Sequence, residues 1–355
     1  MPTPYALTVD REVTLKPSQV EEAFTLSILS RRPCIAWSAP GVGKSALARQ
    51  ACQKVAQHTG MEYRFIDIRA AMWDAVDVHG LPAVVTDEDG EKIVKWIVSS
   101  VFPKSGRGVI LLDELNRAPV MVMNALLQLV LDRCIGDYQL PDGWSIIAAC
   151  NRETDGGGVQ RMPAALSLRF WHVNLVSDLQ EFSLWALDHG IHPMVLAYLR
   201  FDSDALHQFD PKLRVSPNPR SWTMLSELLV TSESLHLATS DETRRAMIVG
   251  TIGNEVGIKF LAFMHLFSKL PNIDQIIQDP TGAPVPTDAG VRYAVSATLG
   301  ARADASNFDR IIQYLGRLPQ EYMVFCVRDA TRRTPALTLE PVYTRWIVRN
   351  QDIMK

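Results

Sequence analysis

The chain has few cysteines, no long block of like charge and no long apolar run, and each shortage excludes a class of protein. Its five cysteines are scattered and never lie at C-x-x-C spacing, so neither a disulfide framework nor a cysteine metal site is indicated. The formal net charge is −3 without a long run of either sign, which argues against a general nucleic-acid or membrane-surface binder. The sequence also lacks the G-x-S-x-G and H-E-x-x-H motifs, so a hydrolase elbow and that zinc-protease motif are excluded.

The sequence predicts neither a signal peptide nor a membrane span. Residues 1–11 contain no apolar core of the kind that a signal peptide carries, and no run of 18 apolar residues predicts a membrane span. Together with thiols expected to be reduced, this predicts a cytoplasmic protein. The length of 355 residues, 47% of them hydrophobic, suits two domains with cores of their own.

What the sequence does contain is an alternation of strand-like and helix-like runs that stops near residue 177. Strands that alternate with helices predict a parallel sheet covered on both faces, and the mostly helical pattern that follows predicts a second region. Prolines in 211–219 mark the boundary. We therefore predict an α/β domain over 1–210 and a helical region over 211–355. Two hairpins interrupt the alternation, near 84–96 and 134–144.

A glycine-rich loop lies between the strand predicted at 34–37 and a helix predicted from Lys44. Glycines there let backbone N–H groups curl around a phosphate, Lys44 can reach the β- and γ-phosphates, and a hydroxyl can bind Mg²⁺. The pattern matches G-x-x-x-x-G-K-[ST], except that a small serine replaces the first glycine. The residues predicted to hold the nucleotide are Ser38, Ala39, Pro40, Gly41, Val42, Gly43, Lys44 and Ser45.

Two carboxylates follow the apolar strand predicted at 109–112, at the edge where α/β sheets bind ligands. We predict that Asp113 holds Mg²⁺ together with Ser45, and that Glu114 activates the attacking water. Asn151 ends the apolar run 146–150 and could orient that water. A glutamate at position 114 favours hydrolysis over a nucleotide-gated scaffold with negligible turnover.

The segment 112–119, Leu-Asp-Glu-Leu-Asn-Arg-Ala-Pro, resembles the D-E-[IL]-N-R-A signature of the MoxR-like AAA+ ATPases. Two weaker matches are Leu-Ser-Leu-Arg-Phe at 166–170 and Ser-Pro-Asn-Pro-Arg at 216–220, the second altered from the family's S-P-R. The resemblance covers about residues 15–240. It implies an AAA+ core with a central parallel sheet over 1–210, followed by an all-α lid and a C-terminal helical region over 211–355.

The resemblance also implies roles for three further residues. Asn151 matches the first sensor, Arg169 the arginine finger that reaches a neighbouring subunit's site, and Arg220 the second sensor of the lid. A permanently charged, forked guanidinium suits the two arginine roles. Arg161 could be the finger instead, and Arg117 could make a subunit contact or act as a second trans arginine.

The function implied is Mg²⁺-dependent ATP hydrolysis by a homo-oligomeric ring, expected to be a hexamer, that remodels or activates a protein substrate. Relatives typically act with a protein carrying a von Willebrand factor A domain, whose D-x-S-x-S motif is missing here, so this partner would be a separate chain. Tyr138 and Leu140 of the second hairpin are candidates for gripping a substrate. The alternative is a nucleic-acid motor, such as a helicase or a restriction-type NTPase subunit, which the acidic net charge disfavours.

Overall fold

The computed structural model describes residues 13–86, 89–155, 158–236, 239–267 and 271–349. The chain divides into two compact units. The first is built from the chain up to Glu181 together with Phe209–Leu213 and Asn218–Arg220. The second comprises Phe182–Gln208, Arg214–Pro217 and the chain from Ser221 onwards. The N-terminal segment 1–11, considered above for a signal peptide, lies outside the described residues.

The first unit contains a parallel sheet whose strand order is β1-β10-β2-β9-β6-β3, six strands among the described residues. Every neighbouring pair in it is parallel. The strands of the chain are β1 (Thr14–Leu15), β2 (Cys34–Ser38), β3 (Arg64–Arg69), β4 (Leu81–Thr86), β5 (Lys92–Ile97), β6 (Arg107–Asp113), β7 (Cys134–Ile135), β8 (Tyr138–Gln139), β9 (Gly143–Asn151) and β10 (Trp171–Leu175). Because the sheet is parallel, the carboxyl ends of β2, β9 and β6 meet at one edge.

The helices of the first unit are α1 (Pro17–Ser30), α2 (Lys44–Thr59), α3 (Ala75–His79), α4 (Val120–Asp132) and α5 (Ala164–Ser167). Then follow α6 (Leu179–Asp188), α7 (Pro193–Phe201), α8 (Pro219–Ser234), α9 (Asp241–Ile252), α10 (Asn254–Phe267), α11 (Ile273–Gln278), α12 (Ala289–Arg302), α13 (Phe308–Leu315), α14 (Gln320–Arg333) and α15 (Pro341–Arg349). The predicted fold class is confirmed: an α/β core with a central parallel sheet, followed by a helical region.

Alternating apolar residues of the strands fill the two faces of the sheet. In β6, Ile110 and Leu112 pack with α4 side chains such as Leu126 on one face. Val109 and Leu111 pack on the other face, in a cluster that includes residues of α1 and α2. A strand buried on both faces reads as a continuous apolar run, which is why 109–112 was recognisable in the sequence. This packing fixes where the strand tips point.

Some elements differ from those expected. The short helix predicted over 163–169 ends at Ser167, so Arg169 follows it. Helix α8 begins at Pro219, inside the segment expected to be a linker, because proline is well tolerated in the first turn of a helix. The two-residue strand β1 and the five-residue helix α3 are too short to give a periodic signal.

Two antiparallel pairs lie outside the main sheet. Strands β4 and β5 pair from Leu81–Ile97 to Thr86–Lys92, in the region expected to hold the first hairpin. Residues 87 and 88, between the two strands, lie outside the described residues. Strands β7 and β8 form the second pair.

The substrate-gripping hypothesis fails for Leu140, which is 4% exposed within the core cluster beneath α4. Tyr138 is partly buried beside the same cluster, and its hydroxyl donates to the Pro103 carbonyl at 2.7 Å. Burial raises the pKa of Tyr138 to about 12. An apolar residue at a hairpin tip and one that anchors the hairpin look alike in sequence, so exposure could not be predicted.

The second unit is helical, and one cluster of its buried side chains comes from α11 to α15 and the loops between them. Within it, the buried carboxylate of Asp329 lies 2.7 Å from Arg200 of α7 and 2.9 Å from Arg333 of α14. A buried carboxylate needs such partners because desolvation strongly disfavours an unpaired charge. No helix among the described residues is long and apolar enough to cross a membrane.

Candidate functional site

The loop between β2 and α2 takes a backbone shape that strongly favours glycine at two positions. Gly41 and Gly43 have φ angles of 80° and 103°, which side-chain-bearing residues rarely adopt. A Cβ atom at Gly41 would also collide with the side-chain amide of Asn218. The Arg220 N–H donates to the Gly41 carbonyl at 3.1 Å. Gly43 is the N-cap of α2, so the loop delivers the chain to a helix N-terminus, where an anion is stabilised.

The ammonium group of Lys44 turns back over this loop. Its Nζ donates to Ser38 Oγ at 2.9 Å, to the Ser38 carbonyl at 3.2 Å and to Asn151 Oδ1 at 3.0 Å. Burial lowers the pKa of Lys44 to about 8, the nearby charge of Arg220 lowers it too, and the Asp113 carboxylate opposes both. A partly desolvated cation in this place is poised to bind a negatively charged group.

A side-chain hydrogen bond joins the start of α2, just after the glycine loop, to the acidic strand tip. Ser45 Oγ, in the first turn of α2, donates to Asp113 Oδ2 at 2.5 Å, and the other oxygen of Asp113 accepts the Glu114 N–H at 2.9 Å. A hydroxyl oxygen and a carboxylate oxygen this close are donors of the type that Mg²⁺ prefers. Among the described residues, no cluster of three or more His, Cys, Asp or Glu side chains could hold a metal by itself. An ion between Ser45 and Asp113 would therefore complete its shell with waters or a ligand's phosphates.

Glu114 lies one residue beyond the strand, in a left-handed conformation with φ of 53°. The side chain of Glu114 is 41% exposed, and its Oε2 lies 3.2 Å from Arg117 Nη1, which is equally exposed. Non-glycine residues with positive φ are uncommon and point to a constrained position. Glu114 thus follows Asp113 directly, and its carboxylate remains open to water.

Asn151 stands at the tip of β9, opposite Ser38 of β2 in the parallel ladder. The structure therefore brings Lys44, Ser45, Asp113 and Asn151 together at the edge where β2, β9 and β6 end. One neighbour was missed by the sequence reasoning. Asn116 is fully buried, and its Nδ2 donates to the Asn151 carbonyl at 2.7 Å. Its place in the Asp-Glu-Leu-Asn-Arg segment was the available signal.

The other predicted residues are placed differently. Arg220 lies near the cluster, through its N–H on Gly41 and its charge near Lys44. Arg169 is exposed and lies two residues before Trp171, which pairs with Cys34 at the start of β2, whereas the Lys44 cluster lies at the other end of that strand. Arg161 and Arg117 are exposed as well.

The backbone just before Arg169 is tied to the strand that carries the glycine loop. Trp37 Nε1 donates to His172 Nδ1 at 2.9 Å, so the other ring nitrogen carries the proton and donates to the Ser167 carbonyl at 2.9 Å. The planes of the two rings are nearly parallel, 7° apart, with their centroids separated by 5.9 Å. Nothing in the sequence pattern signalled this connection, because His172 and Trp37 meet only when β10 pairs with β2.

The strand order and the loop between β2 and α2 define a P-loop α/β protein. No protein-family model and no curated protein matches the chain. Among solved structures, it is similar to NtrX from Brucella abortus in complex with ADP, with 17% identity, 94% of this chain and 67% of that chain covered, and a TM-score of 0.40. It is also similar to a RuvB point mutant from Thermotoga maritima, with 14% identity, 85% and 88% covered, and a TM-score of 0.35. With likenesses this distant, function has to follow from the site residues.

Proposed function

We propose that this chain is an AAA+ ATPase that hydrolyses ATP with Mg²⁺. One observation carries the proposal: Lys44, Ser45, Asp113 and Asn151 converge, through side-chain hydrogen bonds of 2.5–3.0 Å, on the edge where the glycine loop meets a helix N-terminus. A nucleoside triphosphate requires all three kinds of group found here: backbone N–H donors, an ammonium, and a pair of oxygens that can bind a hard cation.

In this proposal each residue does one job. The loop Ser38–Ser45 wraps the phosphates, Lys44 leaves Asn151 to pair with the β- and γ-phosphates, and Ser45 and Asp113 hold Mg²⁺. Mg²⁺ would neutralise charge on the phosphate oxygens. Glu114 accepts a proton from the attacking water, and Asn151 orients that water.

The finer proposal is a MoxR-like remodelling protein, a homo-oligomeric ring of six subunits that acts on another protein. It is supported by the resemblance of 112–119 to the family signature and by the exposure of Arg169, as needed for a trans arginine. Arg220 would serve as the second sensor, with 211–355 as the lid and C-terminal region. A separate protein with a von Willebrand factor A domain is the proposed partner.

The test is phosphate release from ATP, measured against protein concentration. We expect hydrolysis that requires Mg²⁺ and a specific activity that rises with concentration, because a site completed by a neighbour works only in the assembly. Failure of the pure chain to hydrolyse ATP at any concentration would overturn the ATPase proposal. A specific activity that is constant with dilution, while the chain stays monomeric by sedimentation, would overturn the ring.

The lowered pKa of Lys44 predicts how nucleotide affinity depends on pH. Its pKa of about 8 in the free protein would be raised by bound phosphates, so binding above that pH must take up a proton. Affinity for Mg-ADP should therefore be level below about pH 8 and fall by up to about tenfold per unit above it. Titration calorimetry in two buffers of different ionisation enthalpy measures both the affinity and the proton uptake.

The control for this prediction is Lys44→Arg, whose charge does not titrate in that range. The affinity of this variant for Mg-ADP is expected to be the same at every pH in that range, whatever its absolute value. Equal slopes for the wild type and Lys44→Arg, without proton uptake, would show that Lys44 is not the group that binds phosphate.

A further inference from the structure

Asn116 continues the pairing between two strand tips after the backbone ladder has ended. The last pair between β6 and β9 is Asp113 with Ala149. Asn151 lies two residues further along β9, where β6 no longer pairs with it. There the side chain of Asn116 takes the place of a strand backbone: its Nδ2 donates to the Asn151 carbonyl at 2.7 Å, and its Oδ1 accepts the Asn151 N–H at 3.3 Å. Asn116 thus takes both backbone hydrogen-bonding groups of Asn151, on the side away from β2, whose Ser38 lies opposite Asn151 in the ladder.

This arrangement calls for a carboxamide. Only Asn and Gln side chains offer a donor and an acceptor in the geometry of a peptide group, and Asn116 is fully buried, so either arm left unpaired would be costly. The Asn116 carbonyl also accepts the Gln160 N–H at 2.7 Å. Asn116 therefore connects the tip of β6, the tip of β9 and the segment that leads towards α5.

We propose that Asn116 is a positioning residue for Asn151. By holding the Asn151 backbone, it directs the Asn151 side-chain oxygen into the site, where that oxygen now accepts from Lys44 at 3.0 Å. The inference rests on the proposed ATPase function, in which Asn151 orients the attacking water. Asn116 is fully buried and both of its side-chain hydrogen bonds go to the Asn151 backbone, so its effect on turnover would pass through Asn151.

A positioning role predicts that substituting Asn116 lowers ATP turnover but leaves nucleotide binding nearly unchanged. Asn116→Leu, which removes both hydrogen bonds at similar size, should lower kcat for ATP by about tenfold or more and change KM by less than about threefold. Affinity for a fluorescent ADP analogue should likewise stay within about threefold of the wild type. The stability control is Ile28→Ala, a cavity variant in the same unit, which should lower the unfolding midpoint without lowering kcat at a temperature where it is folded.

A double-mutant cycle separates positioning from a general structural effect. If Asn116 acts only through Asn151, adding Asn116→Leu to Asn151→Ala should cost little further kcat, whereas independent effects would multiply. Asn116→Asp adds a second readout. The carboxyl that it introduces keeps the acceptor and regains a donor only when protonated, and burial raises its pKa. Its kcat relative to the wild type should therefore rise as pH falls from about 8 to about 6.

The outcomes are distinguishable. A wild type that does not hydrolyse ATP contradicts the proposed function itself. An active wild type whose Asn116→Leu variant keeps its kcat overturns the positioning role. Multiplicative losses with Asn151→Ala overturn it too, as does failure of both Asn116 variants to fold, since either result assigns Asn116 to structure alone.

Discussion

Replacing Glu114 by Gln is expected to reduce ATP turnover by about 10²–10⁴-fold while the nucleotide still binds. The substitution keeps the size of the side chain and removes its ability to accept a proton from water. Phosphate contacts come from the loop and from Lys44, and the metal oxygens come from Ser45 and Asp113, so binding should survive. The measurement is single-turnover hydrolysis together with the equilibrium affinity for Mg-ATP.

The ion pair with Arg117 does not weaken this expectation. At 41% exposure on each side chain, a pair separated by 3.2 Å contributes about 0–1 kcal/mol to stability, so it can open at little cost when a water must be activated. Arg117→Ala should accordingly retain Glu114-dependent hydrolysis, unless Arg117 also serves a neighbouring subunit.

The matched control for Glu114→Gln is Glu153→Gln. Glu153 is an exposed carboxylate in the turn after Asn151, and its substitution makes the same change of charge. It should leave turnover within about twofold of the wild type, as surface substitutions usually do. Turnover that survives in Glu114→Gln would show that Glu114 does not activate the water, and an equal loss in both variants would show that the loss follows the removed charge and no role particular to Glu114.

The parts of the site that sequence predicted are those whose chemistry is local. Gly41, Gly43, Lys44 and Ser45 are adjacent in the chain, and their shape follows from backbone freedom and a helix start, so a short pattern describes them completely. The core strand 109–112 was equally clear, because burial on both faces leaves a continuous apolar run.

The rest depends on pairings between distant segments. Asn116 acquires its role from β9, 35 residues away, and the Trp37–His172 contact spans 135 residues. A single sequence contains no period or motif that indicates which residues meet across such separations. Leu140 shows the converse error: a residue beside a turn appeared exposed, but the fold places it under α4. Local propensity cannot decide which hydrophobic residues of a hairpin face the core.

The second large effect concerns Arg169, which the structure leaves exposed and away from the Lys44 cluster of its own chain. If Arg169 completes a neighbour's site, Arg169→Ala should lower ATP turnover by about 10³–10⁵-fold without weakening nucleotide binding. The Trp37–His172–Ser167 network would keep the backbone before Arg169 in place in that variant, so the loss would report the guanidinium alone. Arg161→Ala, from the same segment, is the comparison that decides between the two candidate fingers.

Mixing two dead variants separates a trans role from a cis role. An equal mixture of Glu114→Gln and Arg169→Ala chains, assembled together from dilute subunits, contains sites that pair an intact Glu114 with a neighbour's intact Arg169. Random assembly in a ring makes about one quarter of all sites of this kind, so about one quarter of the wild-type activity should return. A cis arginine allows no recovery, because each chain then lacks one of its own essential groups. Recovery with Arg161→Ala in place of Arg169→Ala would transfer the finger to Arg161, since only the residue that crosses the subunit boundary can be complemented.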